Sequence, residues 1–265
     1  MSFIMKSIGI DSCLKGWFLV SIDKNDNWDF SIFSNINLLW EEYQDSKLIL
    51  IDMPIGLPCS ESRLCDLEAR KILKKRGSCV FPAPTRQAIN ASDYESACKS
   101  NQEILGKKVS KQAWNISPKI KQVDLLMQKC EKARDIIRES HPEICFWALA
   151  GGKVMSSNKK TEIGLQERLN VLQKLYPQST NIFKSAVEHY KRIDLTKDDI
   201  LDAIALAITA TSSREMLCTL PEYPERDRKD LPMEIVYSTQ PGQAKTLIWI
   251  NHKRNHYGNQ RNKTR

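Results

Sequence analysis

The amino-acid sequence predicts an α/β protein built around a mixed five-stranded sheet. Near the start of the chain, three runs of alternating polar and apolar residues are separated by short polar gaps, as is typical of antiparallel strands. A fourth run, at 47–52, is almost wholly apolar and follows a helical stretch, as is typical of a strand covered on both faces. Because a strand that follows a helical crossover usually lies parallel to an earlier strand, parallel pairs are expected beside the antiparallel ones.

The first three strands are predicted at 7–11, 17–22 and 28–33, and a helix is predicted at roughly 35–44, before the strand at 47–52. If the fourth strand pairs with the first, Asp11 and Asp52 end neighbouring strands, about 4.8 Å apart. Their carboxylates would then face each other at the edge where open α/β sheets place their active sites.

Residues 53–130 are predicted to form a helical insertion at that edge of the sheet. The insertion is expected to contain a helix at 65–77 that ends in glycine and a proline-stiffened loop at 80–86. Two further helices are predicted between 93 and 133, with a break at "NISP".

After the insertion, "DIIRE" at 135–139 is predicted as the fifth strand, and "SHPEICFWAL" as a turn into a short helix. An amphipathic helix is predicted at 157–177, with one face formed by Ile163, Leu169, Leu172 and Leu175. Residues 233–238 and 245–250 are predicted to form a terminal hairpin. A single domain is therefore expected over 1–250, followed by a tail at 251–265.

Composition limits the class of protein. The 265 residues are 41% apolar and 27% charged, as in globular proteins, and no apolar run approaches the roughly 18 residues of a membrane span. The eight cysteines form no CxxC pair, and with no export signal we expect free thiols in the cytoplasm. The net charge of +8 weakly favours a polyanionic partner, and the basic tail is interpreted as disordered, as a phosphate-binding arm, or as both.

The segment "DDILDAIALAIT", at 198–209, places a carboxylate where the apolar part of a helix has already begun. Asp198 or Asp199 can cap the helix, and Thr196 followed by Asp199 resembles a capping box. Asp202 is poorly explained by capping, because the helix that it leads into has no polar face and is expected to be buried nearly all round. Both Asp198 and Asp199 share a helix face with Asp202, so the spacing alone does not choose between them.

A buried carboxylate is costly unless it is paired or bound to a metal ion. Asp11, Asp52 and Glu139 end predicted strands, Glu143 lies just beyond the last of them, and the acidic helix faces a buried surface. Converging carboxylates without matching basic residues repel one another, and hard oxygen ligands suit Mg²⁺ or Mn²⁺. The joint pattern predicts a two-ion site that hydrolyses phosphodiesters. Each aspartate taken singly is more often a turn residue.

Several motifs resemble those of known proteins. The "GID" at 9–11 resembles the first-strand aspartate of the RNase H-like fold, and "DILDAIALAIT" at 199–209 resembles the last-helix signature of bacterial Holliday-junction resolvases. Motifs such as "GIDSCLKGW", "IDMPIGLP", "HPEICFWAL" and "DDILDA", spread over roughly 8–210, are similar to those of a more specific family. That family is the domain of unknown function 429, described as predicted nucleases of RNase H-like fold.

The resemblance implies an RNase H-like fold and nuclease chemistry, and it prefers Asp199 over Asp198 as the partner of Asp202. By position, the metal ligands that it implies are Asp11, Asp52, Glu139, Asp199 and Asp202. The resolvases carry a glutamate where this chain has Asp52, and the shorter side chain would alter the reach of that carboxylate to the metal.

A phosphodiester substrate needs cations near the metal ions. The candidates for this role are Lys15, Arg86, Lys119, Lys159 and Lys160. Each of them, taken singly, is more often a solvated surface residue, but Arg86 and Lys119 follow prolines that would hold them in place. His141 is interpreted either as a metal ligand or proton shuttle, or as a turn residue bonded to backbone.

Three functions are consistent with these observations. A metal-dependent nuclease acting on nucleic acid is preferred. The alternatives are an enzyme on a small phosphorylated or nucleotide substrate and a non-catalytic module that binds nucleic acid or another partner. A resolvase-like role would predict a homodimer, although no sequence feature indicates one, and no membrane association is expected.

Overall fold

The computed structural model describes residues 5–239. The strands of its main sheet are Lys6–Cys13 (β1), Gly16–Asp23 (β2), Trp28–Phe33 (β3), Leu48–Ile51 (β4) and Ile137–Glu139 (β5). Their order across the sheet is β3-β2-β1-β4-β5. The first three strands are antiparallel, whereas β4 is parallel to β1 and β5 is parallel to β4. The fold class predicted from the sequence is confirmed.

The register of β1 and β4 sets two acidic residues beside each other. Ile10 is paired with Ile51, and the backbone amide of Asp52 donates to the carbonyl oxygen of Ile10 at 2.9 Å. Asp11, the next residue of β1, therefore lies next to Asp52 at the carboxyl edge of the two parallel strands, as the sequence predicts.

The alternation of side chains along β1 divides the core into two layers. Ile8 and Ile10 belong to the layer covered by α1 (Ile36–Tyr43) and α5 (Lys111–Lys129). Gly9 lies on the opposite face, against α10 (Lys197–Thr211). Every residue of α10 between positions 200 and 210 is buried, in agreement with its lack of a polar face.

Seven other α-helices complete the described part of the chain. They are α2 (Leu64–Leu73), α3 (Arg86–Ile89), α4 (Tyr94–Leu105), α6 (Glu131–Ile136), α7 (Pro142–Leu149), α8 (Glu162–Leu175) and α9 (Ser179–His189). Two 3₁₀ helices are formed by Lys74–Cys79 and Arg214–Met216. Within residues 5–239, no helix has the length and apolar character that a bilayer crossing requires.

The predicted insertion helices differ from the observed ones at their ends. The helix predicted over 65–77 ends at Leu73, because Lys74 adopts a positive φ of 52° and a 3₁₀ helix follows. The break predicted at "NISP" is wrong, since Pro118 lies inside α5. The break falls instead at Gly106, whose φ of 69° ends α4 in the left-handed conformation that glycine tolerates.

Two predictions after the insertion need correction. The predicted strand at 135–139 is shortened to β5, because the residues before it form α6. The predicted apolar face of the amphipathic helix is rotated: Ile163 is 75% exposed, while Leu165 and Leu172 are buried. The helix also buries Arg168 completely, a residue that an apolar pattern assigns to solvent. Helix α9 has no counterpart in the sequence prediction.

A second sheet contains Leu217–Arg226 (β6) and Pro232–Ser238 (β7), which form an antiparallel hairpin. The run predicted at 233–238 corresponds to β7, and its partner is β6. The other predicted run, at 245–250, and the basic tail lie outside the described residues. The hairpin joins the main sheet where Ser140 forms a parallel bridge with Val236 and donates its hydroxyl to the Val236 carbonyl at 2.7 Å.

Candidate metal centre

A glycine in β1 allows α10 to lie directly on the sheet. A Cβ atom at Gly9 would stand 2.2 Å from the carbonyl oxygen of Ala203 and 2.2 Å from the amide nitrogen of Ala207. No side chain larger than hydrogen fits there without moving the helix. Asp11 lies two residues beyond Gly9 and so faces the same side of the sheet, while Asp202 immediately precedes Ala203 on the helix. The close contact therefore brings the two aspartates together.

Three carboxylates meet at this point. One oxygen each from Asp11, Asp52 and Asp202 lies within 4.8 Å of the others. Asp11 is 5% exposed, Asp202 is fully buried, and Asp52 is half-buried. Three of the five metal ligands predicted from the sequence are therefore brought into one group, which is reached from the side of Asp52.

The hydrogen bonds of the group leave one fully buried oxygen without a donor. Asp11 Oδ1 accepts from the amide of Ser12 at 2.6 Å. Asp202 Oδ2 accepts from the ammonium of Lys159, whose Nζ also lies 3.8 Å from Asp198. Asp202 Oδ1 is buried and has no hydrogen-bond partner among the described residues. A buried carboxylate oxygen without a donor is unfavourable by itself, and a bound cation would satisfy it.

Burial raises the pKa values of all three carboxyl groups, and nearby carboxylates add to each shift. Burial is the main cause for Asp11, whose pKa lies well above its ordinary value, and the neighbouring carboxylates of Asp52, Asp199 and Asp202 add to the shift. Burial raises the pKa of Asp52 in the same direction and that of Asp202 to about 7, although Lys159 opposes both shifts. The group therefore holds protons at neutral pH more readily than isolated aspartates do.

This donor set fits a divalent cation. Three carboxylate oxygens are hard ligands of the kind that Mg²⁺ and Mn²⁺ prefer. The orphaned oxygen of Asp202 and the raised pKa values both identify a place where positive charge is missing. Asp11, Asp52 and Asp202 could accordingly hold a metal ion between them.

Asp198 and Asp199 lie at the start of α10 and outside this group of three. The carboxylate of Asp199 accepts from the amide of Thr196 at 3.0 Å, and the Thr196 hydroxyl accepts from the amide of Asp199, so the two residues form the capping box that the sequence resembles. Asp198 accepts from the Thr196 hydroxyl at 2.7 Å. The charge of Asp199 nevertheless acts on Asp11, whose pKa it raises.

Glu139 also lies outside the group, although the sequence predicts it as a ligand. Its two oxygens accept from the guanidinium of Arg63, both at 2.7 Å, and one of them also accepts from the amide of Ile55 at 2.6 Å. Arg63 is 2% exposed and pairs with Asp66 as well. Burial raises the pKa of Glu139 to about 7, against the opposing effect of Arg63. The residue connects β5 to the N-cap of α2 by a buried ion pair.

Three of the five cations predicted to bind substrate are engaged elsewhere. Lys15 pairs with Asp194 at 2.9 Å, and Arg86 pairs with the carboxylates of two buried aspartates, Asp124 and Asp227. Lys119 donates to backbone carbonyl oxygens of the β1–β2 turn, one of them that of Gly16 at 2.9 Å. Arg86 and Lys119 are thus held by internal acceptors and not turned toward the carboxylate group.

The other two predicted cations, Lys159 and Lys160, line a cleft of about 460 Å³ that has Asp52 and Asp202 among its walls. The cleft also contains residues that the sequence analysis did not select: Lys75, Arg76, Ser78, Cys79, Phe81 and Gln112. Five of them come from the 3₁₀ helix and the loop after it, and Gln112 comes from the first turn of α5. No periodic pattern marks them. His141 lines the cleft too, and its Nδ1 accepts from the amide of Glu143 at 3.2 Å, which makes it the N-cap of α7.

Glu143 anchors one wall of the cleft. It is 3% exposed and accepts from Arg168 and, at 3.3 Å, from Arg76. Arg76 and Arg168 also donate to the carbonyl oxygen of Ser157, at 3.1 and 3.2 Å. Since Ser157 lies two residues before Lys159, these bonds hold in place the segment that brings Lys159 to Asp202.

Comparison with known protein families gives one match. The model of a family described as "Protein of unknown function (DUF429)" matches residues 9–226, which include all three carboxylates of the group. No curated protein and no solved structure matches the chain significantly.

Proposed function

The chain belongs to the DUF429 family, and we propose that it is a divalent-metal-dependent phosphodiesterase that hydrolyses nucleic acid. The observation that carries the proposal is the meeting of Asp11, Asp52 and Asp202 beside a cleft with cationic walls. Carboxylates that converge on one point bind a metal ion, whereas cations around them bind the phosphates of a substrate.

The residues divide into two roles. Asp11, Asp52 and Asp202 would hold the metal, and the number of ions predicted from the sequence is two. Bound Mg²⁺ or Mn²⁺ would supply Lewis acidity and lower the pKa of a water molecule. Lys75 and Lys160, on the cleft walls, would hold the phosphates next to the carboxylates.

The charge arrangement supports a phosphodiester rather than a neutral substrate. Lys75 and Lys160 are exposed, and neither forms an ion pair with any residue between positions 5 and 239. Unpaired cations within one cleft attract anions, and a polyanion is also what the net charge of +8 favours.

Cleavage of labelled oligonucleotides in the presence of Mn²⁺ tests this function. Single-stranded, duplex and branched DNA and RNA are incubated with the purified protein, with and without a chelator. Cleavage should require the metal and should fall at least about 100-fold in Asp11→Asn, which keeps the shape of the side chain but removes the ligand charge. Asp45→Asn is the matched control, because Asp45 is exposed and precedes β4 at the opposite edge of the sheet. Activity that survives in Asp11→Asn contradicts the proposal.

Isothermal titration with Mn²⁺ separates metal binding from catalysis. Wild-type protein and Asp45→Asn should bind the ion, whereas Asp11→Asn and Asp202→Asn should bind it at least about tenfold more weakly. If the wild type binds Mn²⁺ but cuts none of the substrates, the metal centre stands and the hydrolytic function fails.

A further inference from the structure

The way into the metal centre restricts what can reach it. Asp202 is fully buried and Asp11 is 5% exposed, so Asp52 offers the most accessible of the three carboxylates. The cleft next to Asp52 and Asp202 has a volume of about 460 Å³, in the lower half of the range of roughly 300–1,000 Å³ that pockets for small ligands occupy. A concave site of this size matches a single small ligand.

The walls of the cleft differ in chemistry. Lys75 and Lys160 come from two different segments of the chain, one in the 3₁₀ helix and one before α8, and both are exposed. Arg76, which lines the same cleft, is held by Glu143 and by the Ser157 carbonyl oxygen. Positive charge therefore lines the same cleft as Asp52 and Asp202, where a phosphate approaching Asp52 would pass.

The cleft also has an aromatic wall. Phe81 is half-buried: part of its side chain lines the cleft, and part packs against the hydrophobic core. Its backbone is fixed on either side: the carbonyl oxygen of Val80 accepts from Arg70 at 2.5 Å, and the amide of Ala83 donates to buried Asp66 at 3.0 Å. A ring that is rigidly placed and partly uncovered forms a surface on which a planar group can stack.

We infer that the cleft receives one unpaired nucleotide of a DNA or RNA strand, with its base on Phe81 and its phosphate between the lysines and Asp52. This inference rests on the proposed function and specifies its substrate as single-stranded or locally unpaired nucleic acid. A nucleotide combines an aromatic plane with an adjacent phosphate, as the cleft combines Phe81 with cations. A base inside a duplex is stacked and paired, and it reaches such a pocket only after unstacking and unpairing, which weakens binding.

Fluorescence anisotropy measures this preference without catalysis. Labelled oligo-dT and oligo-U are compared with duplexes of the same length, with Ca²⁺ in place of Mn²⁺ and intact strands verified after the measurement. We expect the protein to bind both single strands at least about tenfold more tightly than the duplexes. Equal affinity for duplex and single strand overturns the inference, as does binding of free nucleoside monophosphate with no binding of the strands.

Variants of Phe81 test the stacking surface. Phe81→Leu keeps an apolar side chain in the core but removes the ring, and should weaken single-strand binding about 5-fold to 100-fold, as expected for the loss of one stacked base. Phe81→Tyr keeps the ring and should bind within about threefold of the wild type. Thermal unfolding of both variants verifies that they fold. If Phe81→Leu binds as tightly as the wild type, or if both variants lose affinity equally, the ring does not receive a base.

Charge reversal tests the phosphate path. Lys75→Glu and Lys160→Glu should each lower the affinity and make it less dependent on salt concentration, because each removes one phosphate contact. Lys24→Glu is the control: Lys24 is exposed and follows β2, at the end of the sheet opposite Asp11. Equal losses of affinity in all three variants would mean that binding depends on the net charge of the protein and not on lysines in the cleft. Cleavage is assayed separately. If the protein binds single strands but cuts none of them, the proposed hydrolytic function is wrong, whereas the inferred binding site is supported.

Discussion

The ammonium of Lys159 donates a hydrogen bond to one oxygen of Asp202, while the other oxygen of the same buried carboxylate has no donor among residues 5–239. The carboxylates of Asp202, Asp11 and Asp52 raise the pKa of Lys159 well above its ordinary value, although burial by itself would lower it. Lys159 is therefore a permanent counter-charge at the metal centre, and it competes electrostatically with any cation that the aspartates bind.

Removing this counter-charge should change metal affinity. In Lys159→Met, a divalent cation no longer meets a nearby ammonium, and we expect Mn²⁺ to bind about tenfold more tightly, a difference of about 1.4 kcal/mol. Without metal, the same variant should unfold at a lower temperature than the wild type, because Asp202 loses its partner. Isothermal titration and thermal unfolding measure the two effects. Lys160→Met, at the neighbouring exposed position, is the control, and weaker Mn²⁺ binding by Lys159→Met would show that the ammonium supports the site.

The contact between β1 and α10 should not tolerate a methyl group. Gly9→Ala would force its Cβ against the backbone at Ala203 and Ala207, and we expect the free energy of unfolding to fall by more than about 3 kcal/mol. Gly106→Ala provides the comparison. A Cβ there meets no atom within 4 Å, and only the positive φ of 69° opposes it, at a cost of about 1 kcal/mol. Urea denaturation gives both values, and equal losses would contradict the close packing of α10.

The stability of the metal-free protein should fall as the pH rises toward neutrality. The pKa of Asp202 is raised to about 7 by burial, above the ordinary value of about 4, so the folded state binds its proton more tightly than the unfolded chain does. The contribution to stability is complete below about pH 4 and is lost as the pH rises through about 7. Thermal unfolding between pH 5 and pH 8 measures this slope. Asp202→Asn should flatten it, and an unchanged slope in that variant would assign the effect to other groups.

Metal binding should show the opposite dependence on pH. Because a cation binds the ionised carboxylate, the ion must displace the proton that Asp202 holds below about pH 7. We therefore expect the affinity for Mn²⁺ to increase up to about tenfold per pH unit between pH 5 and pH 7, with release of protons. Titrations in buffers of different ionisation enthalpy count the protons, and an affinity independent of pH would contradict the raised pKa.

Glu139 is a residue for which the role predicted from the sequence and the observed contacts differ. The sequence predicts a metal ligand, whereas the side chain is paired with buried Arg63. Glu139→Gln removes one of the two carboxylates that pair with Arg63, and we expect a loss of about 3 kcal/mol in the free energy of unfolding with Mn²⁺ affinity within about threefold of the wild type. A large loss of metal affinity in a folded variant would restore Glu139 to the metal centre.

The sequence predicts the sheet and three members of the carboxylate group because both depend on local patterns. Strand periodicity locates β1 and β4, and the helix between them favours parallel pairing; the observed pairing of these two strands places Asp11 beside Asp52. An apolar helix that begins with acids then supplies Asp202. The remaining assignments depend on contacts between residues far apart in the chain. Arg63 meets Glu139 across 76 positions, and Arg86 meets Asp227 across 141 positions.

The cleft could not be predicted for a related reason. Many of its lining residues come from a 3₁₀ helix and from irregular segments, which have no periodicity to read, and the others come from the first or second turns of helices far apart in the chain. The orientation of Arg76 is determined by Glu143, and that of the segment before Lys159 by two arginines, one of which is fully buried in α8. Such networks are visible only when the packing of several elements is known.

At the hairpin of β6 and β7, the segment that the family model matches ends earlier than the unit that folds. The match to the family ends at Arg226, inside the hairpin, yet β7 supplies the partner strand of β6 and the acceptor for Ser140. Asp227, in the turn, accepts from the amide of Leu57 at 2.9 Å and from Arg86. A protein truncated at Arg226 would keep every matched residue but lose these contacts. The unit that folds therefore extends at least to Ser238, beyond the segment by which the family is recognised.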